Sequence, residues 1–198
     1  MGKRRRRAVL PPPPSDPVTP GLVGPMRTVR VGIGRPEYAA TGQPAARESR
    51  AIRTDDEILA MRTAGRVAAE ALIEVGRHVR PGVTADELDR LGHEFMVDAG
   101  AYPSTLNYRG FPKSLCTSVN EVVCHGIPDS RKLVDGDIVN VDITAFIEGV
   151  HGDTSCTFLV GDVDEASTAL VRRTRAAMLA GISVVRPKAR VYEIGRAI

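Results

Sequence analysis

Apolar residues recur at helical spacing in three stretches of the chain and alternate with polar ones in between. Ile58, Met61, Ala68, Leu72, Val75 and Val79 follow Thr54-x-x-Glu57, a capping box, and predict a helix that Arg80-Pro81-Gly82 stops. Thr84-x-x-Glu87 opens a second helix, with Leu88, Leu91, Phe95 and Met96 inward and Gly100 as its C-terminal cap. A third spans about residues 164–185, with Leu170, Ala177, Ile182 and Val185 among its apolar positions, and stops at Arg186-Pro187. Residues 115–127 read as strand, turn and strand. Residues 136–161 read as a hairpin, two runs rich in Val, Ile, Phe and Thr around a Glu148-Gly149 turn.

A two-residue turn fixes the hairpin's register. Ile147 faces Val150, Thr144 faces Asp153 and Asp142 faces Ser155, so Asp142, Thr144, Asp153 and Ser155 share one face. The other face carries Val139, Val141, Ile143, Ala145, Ile147, Val150, Cys156, Phe158 and Val160. Asp142 and Asp153 become diagonal neighbours with backbones about 7–8 Å apart. Like charges at that distance repel unless water screens them or a cation lies between them. The pattern alone leaves both readings open: a hairpin with one wet face, or one wall of a hard-metal site.

Charge divides the chain. Its net +3 combines ten Lys/Arg against three Asp/Glu in residues 1–50 with seventeen against twenty-one in residues 51–198. Residues 1–50 also hold nine of the fourteen prolines, with Lys3-Arg4-Arg5-Arg6-Arg7 ahead of Pro11–Pro14, Pro17 and Pro20. They read as a flexible basic, proline-rich extension ahead of a domain over residues 51–198. Through residues 1–20 the extension would meet RNA, the ribosome or an SH3-like groove, or remain a solvated arm. No run of 18 uncharged apolar residues is present, which argues against a membrane partner. Three cysteines, Cys116, Cys124 and Cys156, are too few and odd in number for a disulfide framework and favour a reducing, cytoplasmic setting; Cys116 and Cys124 read as buried thiols.

Residues 102–114 form a loop broken by Pro103, Gly110 and Pro112, with Tyr108 and Phe111 beside Arg109: a pocket wall, or a loop packed on the core. His125 precedes Gly126 where a strand runs out, a place for a structural or a catalytic histidine. Val79-Arg80-Pro81 recurs as Val185-Arg186-Pro187, and at the same offset of 106 residues Glu87 meets Glu193 and Arg90 meets Arg196. The first copy is two helices and about four strands. The second reaches only its fourth helix by Ile198, so the chain is expected to be C-terminally truncated relative to a two-fold architecture.

The YPSTLNYRGFPKSLCTSVNEVVCHGIP and DGDIVNVDITAFIEGVHGDTSCTFLVG segments together resemble the type I methionine aminopeptidases of peptidase family M24, in a long form with a basic proline-rich extension. The resemblance covers roughly residues 54–198. It implies an α/β (α+β) pita-bread fold with its N-terminal pseudo-symmetric half complete and the second half only begun. It further implies a hydrolase that removes the initiator methionine from nascent chains bearing a small second residue, by metal-hydroxide attack on the first peptide bond. Two divalent ions (Co, Mn, Fe or Zn) would be held by two Asp, one His and two Glu. Asp142 and Asp153 match the two Asp. His125 matches the histidine that hydrogen-bonds substrate, and Tyr108 and Phe111 match positions lining the methionine pocket. Asn120 and the Val122 backbone match a monovalent-cation site of some members. Arg109 departs from the family pattern and takes no role, and His151 does not replace the downstream histidine. With the remaining ligands outside the chain, activity of these 198 residues alone is not expected. The competing readings are a non-catalytic pita-bread protein that binds RNA or the ribosome, and a proline-specific relative.

Overall fold

The computed structural model describes residues 17–45 and 52–198. Most of the 1–20 segment read as a polyanion or SH3-like contact lies outside them. Helix α1 (Asp55–Arg77) starts as expected: Thr54 Oγ1 accepts the Glu57 N–H (3.2 Å) and the Glu57 carboxylate accepts the Thr54 N–H (2.7 Å). Helix α2 (Ala85–Asp98) shows half of the box, because Glu87 turns its carboxylate to Arg90 (2.6 and 2.9 Å). It ends through Gly100 at φ +76°, and the Ala101 N–H reaches back to the Met96 carbonyl (2.8 Å).

Four strands follow: β1 (Tyr102–Pro103), β2 (Cys116–Val119), β3 (Ile138–Ile147) and β4 (Val150–Leu159). β3 is central. β4 pairs with it along its whole length, while β2 pairs with residues 139–142 and β1 with residues 145–146, all antiparallel. The hairpin register is the expected one, with Ile147 opposite Val150, Thr144 opposite Asp153 and Asp142 opposite Ser155. Glu148 and Gly149 both have positive φ (53° and 80°), the geometry whose twist matches the flanking strands. The second strand expected within residues 115–127 is absent. The chain from Glu121 on is irregular and is held to β2 by single bonds.

Val139, Val141, Ile143 and Ala145 are fully buried on the side covered by α1 and α2, where Ala68, Ala71, Val75, Leu88 and Met96 meet them. Alanines let α1 lie close to the hairpin, so its buried stripe begins at Ala64. Ile58 and Met61, in the periodic pattern, stay 41% and 43% exposed because the helix start overhangs the sheet. Cys116 is buried, but Cys124 is exposed, since its segment is not the strand the pattern suggested. Helices α3 (Glu165–Ser183, capped by Asp164) and α4 (Val191–Ala197) pack on each other, and Leu170, Ile182 and Val185 remain exposed.

Residues 17–45 run along the body and are bonded to it at three places. Gly21 N–H donates to Asp129 (2.6 Å) and Leu22 exchanges two bonds with Ser130. Arg27 donates to Asp89 (2.8 Å) and Asp86 (3.0 Å) of α2. Tyr38 O–H donates to the Ser104 carbonyl (2.6 Å), and the Gly42 carbonyl accepts the Arg109 N–H (2.8 Å). Buried Lys113 joins the second anchor by pairing with Asp86, and buried Asp89 also accepts the Ser114 N–H (2.7 Å).

His93 closes that anchor. Its Nε2 donates to the Thr28 carbonyl (3.1 Å) and its Nδ1 bonds Ser114 Oγ (2.7 Å). Burial, the largest influence, lowers its pKa despite the Thr28 bond. The unfolded chain, with a histidine near 6.5, then takes up the proton first as pH falls. The stability this neutral ring contributes is present above about pH 6.5 and is lost as pH drops through the lower folded value. Urea midpoints measured from pH 7.5 to 5 are expected to fall more steeply in wild type than in His93→Gln; identical slopes would contradict this.

Candidate active site

The polar face of the hairpin begins at its centre. Asp142 is half-buried on β3 beside exposed Asp153 on β4, and Thr144 Oγ1 donates to Asp153 Oδ1 (2.8 Å), fixing one carboxylate's orientation. The Asp142 pKa is raised, first by burial, then by the charge of Asp153 and a hydrogen bond shared with it, while His125 opposes the rise. The two carboxylates thus converge and repel, as the pairing arithmetic expected. Below them Cys116, opposite Asp142 on β2, has its thiol pushed up to about 12 by burial and by the two aspartates, so it stays protonated at neutral pH.

His125 reaches this face through Gly126. Thr117 N–H donates to the Gly126 carbonyl (2.9 Å) and Gly126 N–H donates to Ser118 Oγ (3.1 Å), pinning the segment flat against β2. A Cβ at Gly126 would lie 2.0 Å from the Thr117 carbonyl oxygen, so only glycine allows the approach. His125 itself takes a positive φ (53°) and stays exposed, within electrostatic reach of Asp142. The spacing between His125 and Asp142 contains no sign of this proximity.

Further along the same face lies a second group. His151, opposite Phe146, is two residues from Asp153. Its Nδ1 is 2.9 Å from Ser104 Oγ, and its ring is 4.9 Å from that of Phe146. Tyr38 stacks on it at 6.4 Å and meets Tyr108 edge-on at 5.1 Å, with the Arg109 guanidinium 5.7 Å over the Tyr108 ring. Phe111 is half-buried at the end of the same loop, its carbonyl accepting the Asn107 N–H (2.8 Å). Asn120, the other polar residue singled out, bonds Asp137 (2.8 Å) and the Ile138 N–H (3.0 Å).

The sequence profile of metallopeptidase family M24 matches residues 59–198. This chain belongs to metallopeptidase family M24. It is 56% identical over 183 residues to methionine aminopeptidase 2 of Mycobacterium tuberculosis, covering 91% of this chain and 64% of that one. It is 47% identical over 182 residues to methionine aminopeptidase 1A of Arabidopsis thaliana, covering 89% and 46% respectively. The crystal structure of the Rickettsia prowazekii methionine aminopeptidase superposes with a TM-score of 0.72 at 49% identity, over 74% of this chain and 59% of that one. The fold is therefore the mixed α/β pita-bread arrangement of the family. The chain spans about half to two thirds of the length of these relatives.

M24 membership implies metal ions, and the donors present were judged against that. Two convergent carboxylates are hard oxygen ligands of the type divalent ions take, and their mutual repulsion is what a cation would relieve. Among the described residues no group of three or more His, Cys, Asp or Glu gathers around one point. Asp142 and Asp153 thus fit as part of a ligand set. Tyr38 and the Ser104–His151 pair were missed in the sequence. Alternation along the hairpin does put His151 on the Asp153 face, but nothing local marks Tyr38.

Proposed function

We propose that this M24 chain carries one wall of an aminopeptidase site that removes an initiator methionine from nascent polypeptides with a small second residue. The supporting observation is the convergence of Asp142 and Asp153 on one polar face, in a chain similar to methionine aminopeptidases. In this reading Asp142 and Asp153 hold divalent metal, Co, Mn, Fe or Zn serving equally on donor type. A divalent ion bound there supplies Lewis-acid polarisation of the scissile carbonyl and activation of water. His125, exposed beside Asp142, donates a hydrogen bond to the substrate or to the oxygen that gains charge. Thr144 keeps the Asp153 carboxylate turned toward the site. Tyr108 and Phe111 present aromatic surface to the methionine thioether. Nascent chains as substrate and three free thiols fit a cytoplasmic setting. No helix among the described residues is long and apolar enough to cross a membrane.

The test titrates the Mn²⁺-loaded 198-residue chain with Met-Ala-Ser and Ser-Ala-Ser and scores free methionine. Binding is expected to favour Met-Ala-Ser about tenfold or more, the scale of burying one apolar side chain in a shaped pocket. Equal affinity for the two peptides, or methionine release that survives Asp153→Ala, would overturn the reading.

A further inference from the structure

The 36–42 turn of the N-terminal arm does more than cover the body. It grips the loop that carries Tyr108 from three sides. The Ala39 carbonyl accepts the Asn107 side-chain N–H (3.0 Å), the Gly42 carbonyl accepts the Arg109 N–H (2.8 Å), and Tyr38 O–H donates to the Ser104 carbonyl (2.6 Å). Asn107 and Arg109, on either side of Tyr108, both have left-handed φ (62° and 51°), a conformation that a residue other than glycine holds at a cost. Contacts from outside the loop must therefore keep it there. Between those contacts the Tyr38 ring, 3% exposed, spans the gap from Tyr108 to His151, touching the loop on one edge and the polar face of the hairpin on the other.

We infer that Tyr38 is a positioning residue: the arm inserts its ring to fix Tyr108 over the end of the hairpin face, and so sets the wall against which a substrate's first side chain lies. The inference rests on the proposed aminopeptidase reading for the identity of that side chain. It does not rest on it for the placement of Tyr108. Tyr38 acts through Tyr108 and need not touch substrate.

Labelling with 3-fluorotyrosine reports on all four tyrosines, and Tyr108→Phe assigns the signal of interest. In the folded chain, Tyr38→Leu keeps apolar bulk but removes the edge-on ring, and is expected to move and broaden the Tyr108 signal. Tyr38→Phe keeps the ring and is expected to leave that signal at the wild-type position. In wild type, without any substitution, a proton–proton Overhauser contact should join the Tyr38 and Tyr108 rings. With Mn²⁺ present, L-methionine should shift the Tyr108 signal in wild type and Tyr38→Phe, with about tenfold weaker affinity in Tyr38→Leu, the order of loss that small misplacement causes. A Tyr108 signal indifferent to Tyr38→Leu, or no Overhauser contact between the rings, would overturn the positioning role. A signal that responds to Tyr38→Leu but to methionine in no variant would instead overturn the methionine-pocket reading of Tyr108.

Discussion

Alanine at position 152 is expected to lower folding stability by roughly 3 kcal/mol or more, the upper range for overpacking. Gly152 is buried on β4 opposite Ala145, under α1. A Cβ there would sit 2.2 Å from the Ala64 carbonyl carbon and 2.2 Å from the Gly65 nitrogen, both backbone atoms of a 23-residue helix. Backbone in the middle of a helix cannot step aside alone. The helix would have to lift from the sheet, opening the contacts of Ala68, Ala71 and Val75 with β3. Gly76 is the control. A Cβ there meets only the Phe158 ring, at 2.5 Å, and a side chain can rotate away. Gly76→Ala should therefore cost about 1 kcal/mol. Urea unfolding followed by circular dichroism measures both. Equal losses for the two variants would mean that α1 is not seated on β4 at Gly152.

The parts of the fold that could be read in the sequence are those decided within a few residues. The Glu148-Gly149 turn and strict alternation fixed the pairing of Asp142 with Ser155 and of Thr144 with Asp153, because a slip of one residue would turn Val139, Val141 and Ile143 to water. The Thr54 and Asp164 caps set helix starts through their own side chains. Periodicity also marked α3, yet its apolar positions Leu170, Ile182 and Val185 are exposed, since periodicity gives a helix its apolar side without saying what covers it.

What could not be read depends on contacts between distant parts of the chain. His125 comes near Asp142 only because Gly126 is pressed onto the backbone of Thr117, and a glycine in sequence does not say which strand it will touch. Tyr38 meets Ser104 across 66 residues. Nothing in the composition of residues 17–45 distinguishes an arm bonded to the body from a free one. The anchors are single residues, Arg27 and Tyr38, whose partners Asp86, Asp89 and Ser104 lie in elements read for other reasons.

The largest functional effect is expected at the carboxylate pair. Asp142→Asn and Asp153→Asn should each weaken Mn²⁺ binding at least tenfold, about 1.4 kcal/mol or more, measured by titration calorimetry at pH 7.5. The two oxygens lost in charge are half of a donor set whose partners repel when no cation separates them. The same repulsion predicts an opposite effect without metal. Either substitution removes one of two like charges from a half-buried face, so the metal-free variants should melt at or above the wild-type temperature, while wild type should gain more from added Mn²⁺. A catalytic surface that costs stability until its cation binds has this signature; an ordinary wet face does not. Asp162, exposed on the loop after β4, serves as the control, and Asp162→Asn should change neither quantity. Unaltered Mn²⁺ affinity in Asp142→Asn and Asp153→Asn, with metal-free stability unchanged, would return the hairpin to a solvated polar face.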